Sequence, residues 1–362
     1  MNVLFLSAWY PTPRDQMAGL FVQKHADAVR AQGADVRVVY TEAKGLRYWH
    51  EMLRGLRALK REGWRPNVVQ VNVLDKNGLL ALWLWKRYRI PYIIVEHWSG
   101  YLPANFSFRG GWHGWLMRHI AEQAQCILPV SQMLEDAMKK CGIQNARWER
   151  IHNVVDDFFY RQSTDGRPTV ERTVNERSTN DEQCHFLHVS CFDEKAKNTQ
   201  GLLRAYKKAL AARPNLHLTM VGTGVDWQAS KDYAYTLGFT DEQIRWTGEL
   251  TPREVCHEMQ QADGFVLFSR YENAPVVLSE CLAVGLPIIT SRAGGIPEMI
   301  DSQCGQMVEV EDETALTEAM IQFNPSSYDR QHIRQHGESY RFEAVGKQLI
   351  TLYRSVILSC QR

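Results

Sequence analysis

The chain has 362 residues, 44% hydrophobic and 23% charged, with a formal net charge of +1 at pH 7. That balance is ordinary for a soluble globular protein and gives no basic footprint for nucleic acid, so duplex DNA is excluded as an expected partner. At roughly 100–200 residues per domain, the length predicts two domains, each able to bury its own core.

The start, MNVLFLSAWYPTP, has no basic leader and too short an apolar run for a signal peptide. No stretch reaches the ~18 uncharged apolar residues of a membrane span. A cytoplasmic location is therefore expected. The eight cysteines, at 126, 141, 184, 191, 256, 281, 304 and 360, form no CxxC pair and read as small core hydrophobes in a reducing compartment. Neither a metal nor a cofactor is expected.

In chain order, short apolar runs alternate with segments of helical period: NVLFLS (2–7), a helix over 19–32, DVRVVY (35–40), a basic helix over 47–62, VVQVNV (68–73), a helix over 78–88, and YIIVEH (92–97). CILPVS (126–131) and a helix to Cys141 continue this βαβ rhythm of a parallel sheet. From Tyr160 to Gln183 apolar residues nearly vanish, which places a polar linker at 166–184 between an N-terminal domain (1–165) and a C-terminal one (185–362).

The rhythm restarts with HFLHVS (185–190), a helix over 199–212, LHLTMVG (216–222), a helix near 226–237 and IRWTG (244–248). Thr251-Pro252-Arg253-Glu254 has the N-cap, first-position proline and third-position glutamate of a helix start. That helix leads into GFVLFS (264–269). The closing helical stretch, roughly 340–359, could pack on either domain.

The stretch RYENAPVVLSECLAVGLPIITSRAGGIPEMI (270–300) carries the chemistry. The strand before it ends at Ser269, Glu272 lies in the loop, Pro275 opens a helix, and Gly285 is suited to cap its end. The helix N-terminus points free N–H groups, from Val276 and its neighbours, into the crevice where open α/β sheets bind ligands, and a diphosphate fits there. Carboxylates at Glu272 and, in the helix's second turn, Glu280 are better suited to accept from neutral hydroxyls, such as those of a ribose and a sugar. Gly294 and Gly295 let backbone approach a ligand closely. Any one of these residues alone reads as a solvated helix position or a turn; their joint spacing points to a nucleotide-sugar site.

The pattern E-x7-E, followed by G-x-P and G-G-x-P-E, resembles the retaining glycosyltransferases of family 4. The resemblance covers nearly the whole chain. It implies an α/β fold of GT-B type, two facing Rossmann-like doubly wound domains with an inter-domain cleft, acceptor on the N-terminal side and donor on the C-terminal side. It also implies that Glu280 holds the ribose, that Glu272 contacts the transferred sugar near the reacting carbon, and that the backbone of Asn273, Ala274, Pro275 and Val276 sits against sugar and phosphates.

In the N-terminal half, Pro11 through Gly19 resembles the family's glycine-pair loop near the donor phosphates. Here the pair is Ala18-Gly19, so only Gly19 carries over. HNVVD (152–156) is similar to the family's NGVD with Val154 in the glycine position, and Val130 to Gln132 resembles its VS-x motif. His97, closing YIIVEH, matches a histidine near the donor sugar and acceptor, and EHWSGY resembles bacterial surface-polysaccharide enzymes.

The family's phosphate-clamping lysine is matched by Lys197, with Lys195 as a register alternative. Its arginine partner is replaced by Cys191. A lysine neutralises developing charge without arginine's bidentate fork, so another cation such as Arg270 or Arg292 is a candidate substitute. The resemblance implies front-face displacement, in which the leaving diphosphate, a UDP or GDP group, accepts the acceptor's proton. Acceptors in the family are glycans or lipid-linked sugars.

From Leu46 to Arg65 six Lys/Arg stand against two Glu, with Trp49, Met52, Leu53, Leu56 and Leu59 at helical spacing. This stripe is suited either to peripheral contact with an anionic membrane or to packing on its own sheet. GGWHGW (110–115) is a candidate to shape the acceptor cleft. Rival functions are a nucleotide-sugar epimerase, a phosphorylase and a NAD dehydrogenase, the last weakened by Gly222-Thr223-Gly224 being an incomplete G-x-G-x-x-G. A non-catalytic nucleotide-sugar-binding protein is supported by Cys191.

Overall fold

The computed structural model describes residues 1–161 and 183–361, apart from Ala8, Arg14 and Gln16. Its elements alternate strand and helix: β1 (Asn2–Ser7), α1 (Leu20–Ala31), β2 (Asp35–Tyr40), α2 (Gly45–Arg61), β3 (Val68–Asn72), α3 (Asn77–Tyr88), β4 (Tyr92–Glu96), α4 (Gly111–Gln123), β5 (Cys126–Pro129) and α5 (Gln132–Lys140). Then follow β6 (Cys184–Val189), α6 (Glu194–Lys197), α7 (Thr199–Ala212), β7 (Leu216–Val221), α8 (Trp227–Thr236), β8 (Ile244–Gly248), α9 (Pro252–Gln261), β9 (Gly264–Leu267), α10 (Val276–Val284), β10 (Ile288–Ser291), β11 (Gly305–Val308), α11 (Glu313–Gln322), α12 (Arg330–Gly337) and α13 (Phe342–Gln361).

The chain divides into two compact units, Met1–Val154 with Ser339–Arg362, and Val155–Glu338. The division thus falls ahead of residue 165, because the short turn Asp157–Tyr160 packs on the second unit: Tyr160 Oη donates to Gly337 O at 2.8 Å. The linker expected at 166–184 lies outside the described residues up to 182, and Cys184 already opens β6.

In the first unit five parallel strands run in the order β2-β1-β3-β4-β5, Val3 pairing with Val36 on one side and Val68 on the other. β3, β4 and β5 are buried throughout, as expected when helices cover both faces. The terminal helix α13 belongs here. Tyr353 Oη donates to the buried Gln70 Oε1 at 2.5 Å, and Gln70 Nε2 donates to Asn72 Oδ1 at 2.7 Å, so a polar relay ties α13 to β3.

The basic helix α2 turns Tyr48 and Met52 into its own unit and packs close enough that Gly55 faces Val39. Its apolar stripe therefore serves the sheet, leaving Arg54, Arg57, Lys60 and Arg61 outward with Leu46 89% exposed. No helix among the described residues is long and apolar enough to cross a membrane.

In the second unit six strands run β11-β10-β9-β6-β7-β8, all pairs parallel. Strand order reverses between β6 and β9. In such sheets the loops leaving the carboxyl ends of these two neighbours splay apart and open a crevice.

Candidate active site

The residues that matter in the second unit lie on those two loops. After β9 the chain passes Ser269, Glu272 and Pro275, then enters α10. After β6 it passes Cys191 and folds into α6, which ends at Lys197. Lys197 Nζ donates to Glu272 Oε1 at 2.5 Å, and Ser269 Oγ donates to the same oxygen at 2.7 Å. The paired side chains are only 15% and 10% exposed. Burial works against the charge of Lys197, but the Glu272 carboxylate, together with Cys191 and Tyr271, outweighs it, and the lysine pKa rises above its ordinary value. Lys197 is thus a committed cation, whereas Lys195, the register alternative, is exposed.

Local sequence explains how Lys197 is held. Asp193 Oδ1 caps α6 by accepting from Lys195 N at 3.0 Å, and Asn198 ends it in a left-handed conformation at φ 49°. Arg270 braces both ends: its guanidinium donates to Glu194 O and, at 2.7 Å, to Asn198 Oδ1, while Nε donates to Glu311 Oε1 at 2.6 Å. Its charge is thus engaged by internal partners at both ends of the helix that carries Lys197. Arg292 pairs with Glu309 at 3.2 Å, and Cys191 is exposed.

Gly294 stands at φ 57°, and a Cβ there would lie 1.7 Å from Glu272 O. Gly295 N donates to that same oxygen at 3.3 Å. Gly294 thus makes room for the backbone of Glu272 itself, which a side chain there would displace, while Gly295, at φ −82°, contributes only its N–H. Pro275 stands at the N-cap of α10 and offers no side-chain cap, as its ring dictates. Asn273 and Ala274 lie half-buried just before it, and Val276 opens the helix. Glu280 lies half-buried in the second turn, near Cys256, whose thiol is pushed up to about 11 by burial and by the Glu280 charge.

In the first unit the sequence-selected residues are His97 and Gly19. His97 follows β4, with its ring 4.1 Å from Phe21 and 5.6 Å from His25 between centroids. Burial, reinforced by His25, pushes its pKa well below the ordinary value, so the imidazole is neutral. Gly19 is the left-handed N-cap of α1 at φ 67°, and a Cβ there would meet the Trp9 carbonyl carbon at 2.4 Å. The close approach Gly19 permits is taken up by its own chain at Trp9 and Tyr10.

Other residues were not singled out from the sequence. Glu96, buried beside His97, accepts from Leu74 N at 2.9 Å, His97 N at 2.9 Å and Trp98 N at 2.8 Å, tying the loops after β3 and β4 together. Burial still pushes its pKa up to about 7. His25 donates through Nε2 to His152 O at 3.0 Å, and burial holds its pKa near about 4. In the second unit His188 bridges Val266 O and Ser190 Oγ at 2.9 and 2.8 Å, and burial likewise lowers it to about 4. His25 stands four residues after Phe21, on one helical face, and that spacing was a usable signal. Ser269 and Glu96, as strand ends beside named residues, were also within reach.

Comparison with known proteins follows this division. Residues 19–157 match the model described as Glycosyltransferase Family 4, and 183–324 match Glycosyl transferases group 1. N-acetyl-alpha-D-glucosaminyl L-malate synthase of Bacillus anthracis is 25% identical over 250 residues, 67% of this chain and 62% of that protein, so the match spans less than two thirds of the relative. Among solved structures, sucrose-phosphate synthase from Thermosynechococcus elongatus superposes with a TM-score of 0.76 at 17% identity, covering 99% of this chain and 100% of that one. Anabaena HepE in complex with UDP and glucose gives 0.73 at 15% identity over 98% and 100%. With a parallel Rossmann-like sheet in each unit and both halves matched, the chain belongs to glycosyltransferase family 4 and has the GT-B fold.

Proposed function

We propose that the protein is a retaining glycosyltransferase that moves a sugar from a UDP- or GDP-sugar to a glycan or lipid-linked acceptor in bacterial surface-polysaccharide synthesis. The observation that carries this reading is the Lys197–Glu272 pair, set where strand order reverses and directly ahead of α10. The UDP bound by HepE supports a nucleotide-sugar donor by analogy.

In this reading the diphosphate lies at the N-terminus of α10, and Lys197 leaves its ion pair to meet the charge that grows as the nucleotide departs. A lysine whose pKa is raised stays protonated throughout that step. Glu272, released from Lys197, accepts from a hydroxyl of the transferred sugar, and Glu280 accepts from the ribose. Asn273 to Val276 supply backbone against sugar and phosphates. The diphosphate oxygen takes the acceptor's proton, so no protein nucleophile is needed. His97, kept neutral, serves the first unit as a hydrogen-bonding group instead of a charge. Gly19 shapes the loop after β1, and the basic outer face of α2 supports peripheral contact with an anionic membrane.

The test is release of free nucleotide diphosphate from a panel of UDP-, GDP- and ADP-sugars, with and without a lipid-linked acceptor extract. Release from one donor, reduced about tenfold at sub-saturating donor in Glu280→Ala, is the expected outcome. Silence across the panel from folded protein would favour the non-catalytic binding protein instead.

A further inference from the structure

A second cluster of ligand-type side chains lies at the other edge of the second sheet. Cys304 immediately precedes β11, and its carbonyl accepts from Ile288 N at 3.1 Å where β10 begins. Because the sheet is parallel, this is the amino edge, whereas Lys197 and Glu272 stand at the carboxyl edge. Asp301, Cys304 and His336, the last from the final turn of α12, bring one oxygen, one sulfur and one nitrogen within 4.8 Å of one another.

The hydrogen bonds around the cluster aim these atoms. Asp301 Oδ1 accepts from Gln303 N at 2.9 Å and Cys304 N at 3.0 Å, which fixes the carboxylate and turns Oδ2 toward His336. His336 Nε2 lies 2.9 Å from Met299 O. A carbonyl only accepts, so Nε2 donates to it, and Nδ1 is left facing Asp301 Oδ2 across 3.8 Å. An imidazole locked by a backbone carbonyl on its far nitrogen is how proteins orient a histidine toward a metal. Ligands about 2.0–2.3 Å from a tetrahedral ion stand roughly 3.3–3.8 Å apart, so the observed spacing needs only small rotamer adjustments.

We propose that Asp301, Cys304 and His336 form a site for a zinc-like divalent ion, distinct from the donor residues. Thiolate and imidazole select borderline-soft ions such as Zn²⁺ or Co²⁺ over Mg²⁺ or Ca²⁺. On binding, the Cys304 S–H bond is exchanged for a sulfur–metal bond and the proton leaves to solvent. Three protein ligands leave a fourth position for water, reachable because Asp301 is exposed and His336 half-exposed. The ion would pin α12 to the loop that follows Gly294 and Gly295. The spacing 301, 304 and 336 matches none of the paired-cysteine patterns by which zinc sites are read from sequence.

The probe is Co²⁺ added to the full chain after chelator treatment, in a Cys191→Ser background that removes the exposed thiol. The expected result is a thiolate-to-cobalt absorption band saturating at one equivalent, displaced by Zn²⁺ and unaffected by a hundredfold excess of Mg²⁺. Cys304→Ser should abolish the band. His336→Gln, at a half-exposed position the core does not depend on, should weaken Co²⁺ affinity at least tenfold, which keeps the test decisive even if Cys304→Ser fails to fold. No band in the Cys191→Ser protein, or a band of equal affinity in His336→Gln, would overturn the site.

Discussion

At the carboxyl end of the first sheet, burial dominates the titration of His97, His25 and Glu96. The half-buried His97 and the buried His25 are neutral, and Glu96 is satisfied by three backbone N–H groups. At the carboxyl end of the second, Lys197 and Glu272 form a nearly buried ion pair, and an arginine with three internal partners braces the helix that carries the lysine. Both sheets are parallel and built from alternating strands and helices, so topology does not dictate this difference. Under the proposed function it follows from what each strand exit would meet: a diphosphate requires a fixed cation, whereas a sugar hydroxyl requires neutral donors and acceptors.

The comparison breaks most visibly at Lys197. Lys197→Ala should lower turnover by ~10²–10³-fold and, by leaving Glu272 buried without its partner, destabilise the second unit by ~3–5 kcal/mol. Steady-state rates and denaturant titration check both effects. Glu272→Ala should slow transfer by about 10²-fold while changing donor affinity much less, because its contact is expected to matter most near the reacting carbon. A parallel loss of affinity would move Glu272 into simple donor binding.

A third expectation concerns pH. The folded pKa values of His25 and His188 lie near about 4, below the ordinary 6.5, so both favour the neutral form in the native state. The stability they contribute is complete above pH 6.5 and is lost as pH falls toward 4, by about 2 kcal/mol each between pH 7 and 5. Glu96, raised to about 7, acts in the opposite sense, its contribution fading as pH rises from its unfolded value toward 7. Denaturant titrations at pH 5 and 7 should therefore show a steeper acid loss in Glu96→Gln and a shallower one in His188→Gln.

Glu280→Ala should weaken donor binding about tenfold, or ~1.4 kcal/mol, with turnover at saturating donor largely kept. The smallest effect belongs to the first unit alone. Tyr353→Phe removes the donor to Gln70 Oε1 and should cost about 1 kcal/mol without altering donor affinity, read by thermal unfolding beside ligand titration.

Much of this arrangement was legible in the chain. Runs such as YIIVEH and GFVLFS mark buried parallel strands, and Thr251 to Glu254 and Pro275 announce helices where α9 and α10 begin. Glu272 and the glycine pair stood out because local spacing places them on strand exits, and Lys197 because the resemblance to family 4 implies a lysine after β6. Long-range partners did not stand out. Arg270 is engaged by Glu311, 41 residues away, and its availability as a phosphate ligand could not be judged from its neighbours. The apolar face of α13 announced that the helix packs, but the tyrosine–glutamine relay to β3 that selects its partner spans 283 residues. The division after Val154 was likewise hidden, since the loss of apolar residues begins only beyond Tyr160.

The most direct test of the account is calorimetric binding of UDP, GDP and ADP to the full chain, wild type against Lys197→Ala and Glu280→Ala. One diphosphate should bind the wild type, with affinity reduced about tenfold or more in each variant while both remain folded. Undiminished binding in both variants would place the nucleotide elsewhere and contradict the assignment of the second unit's strand exits as the donor site.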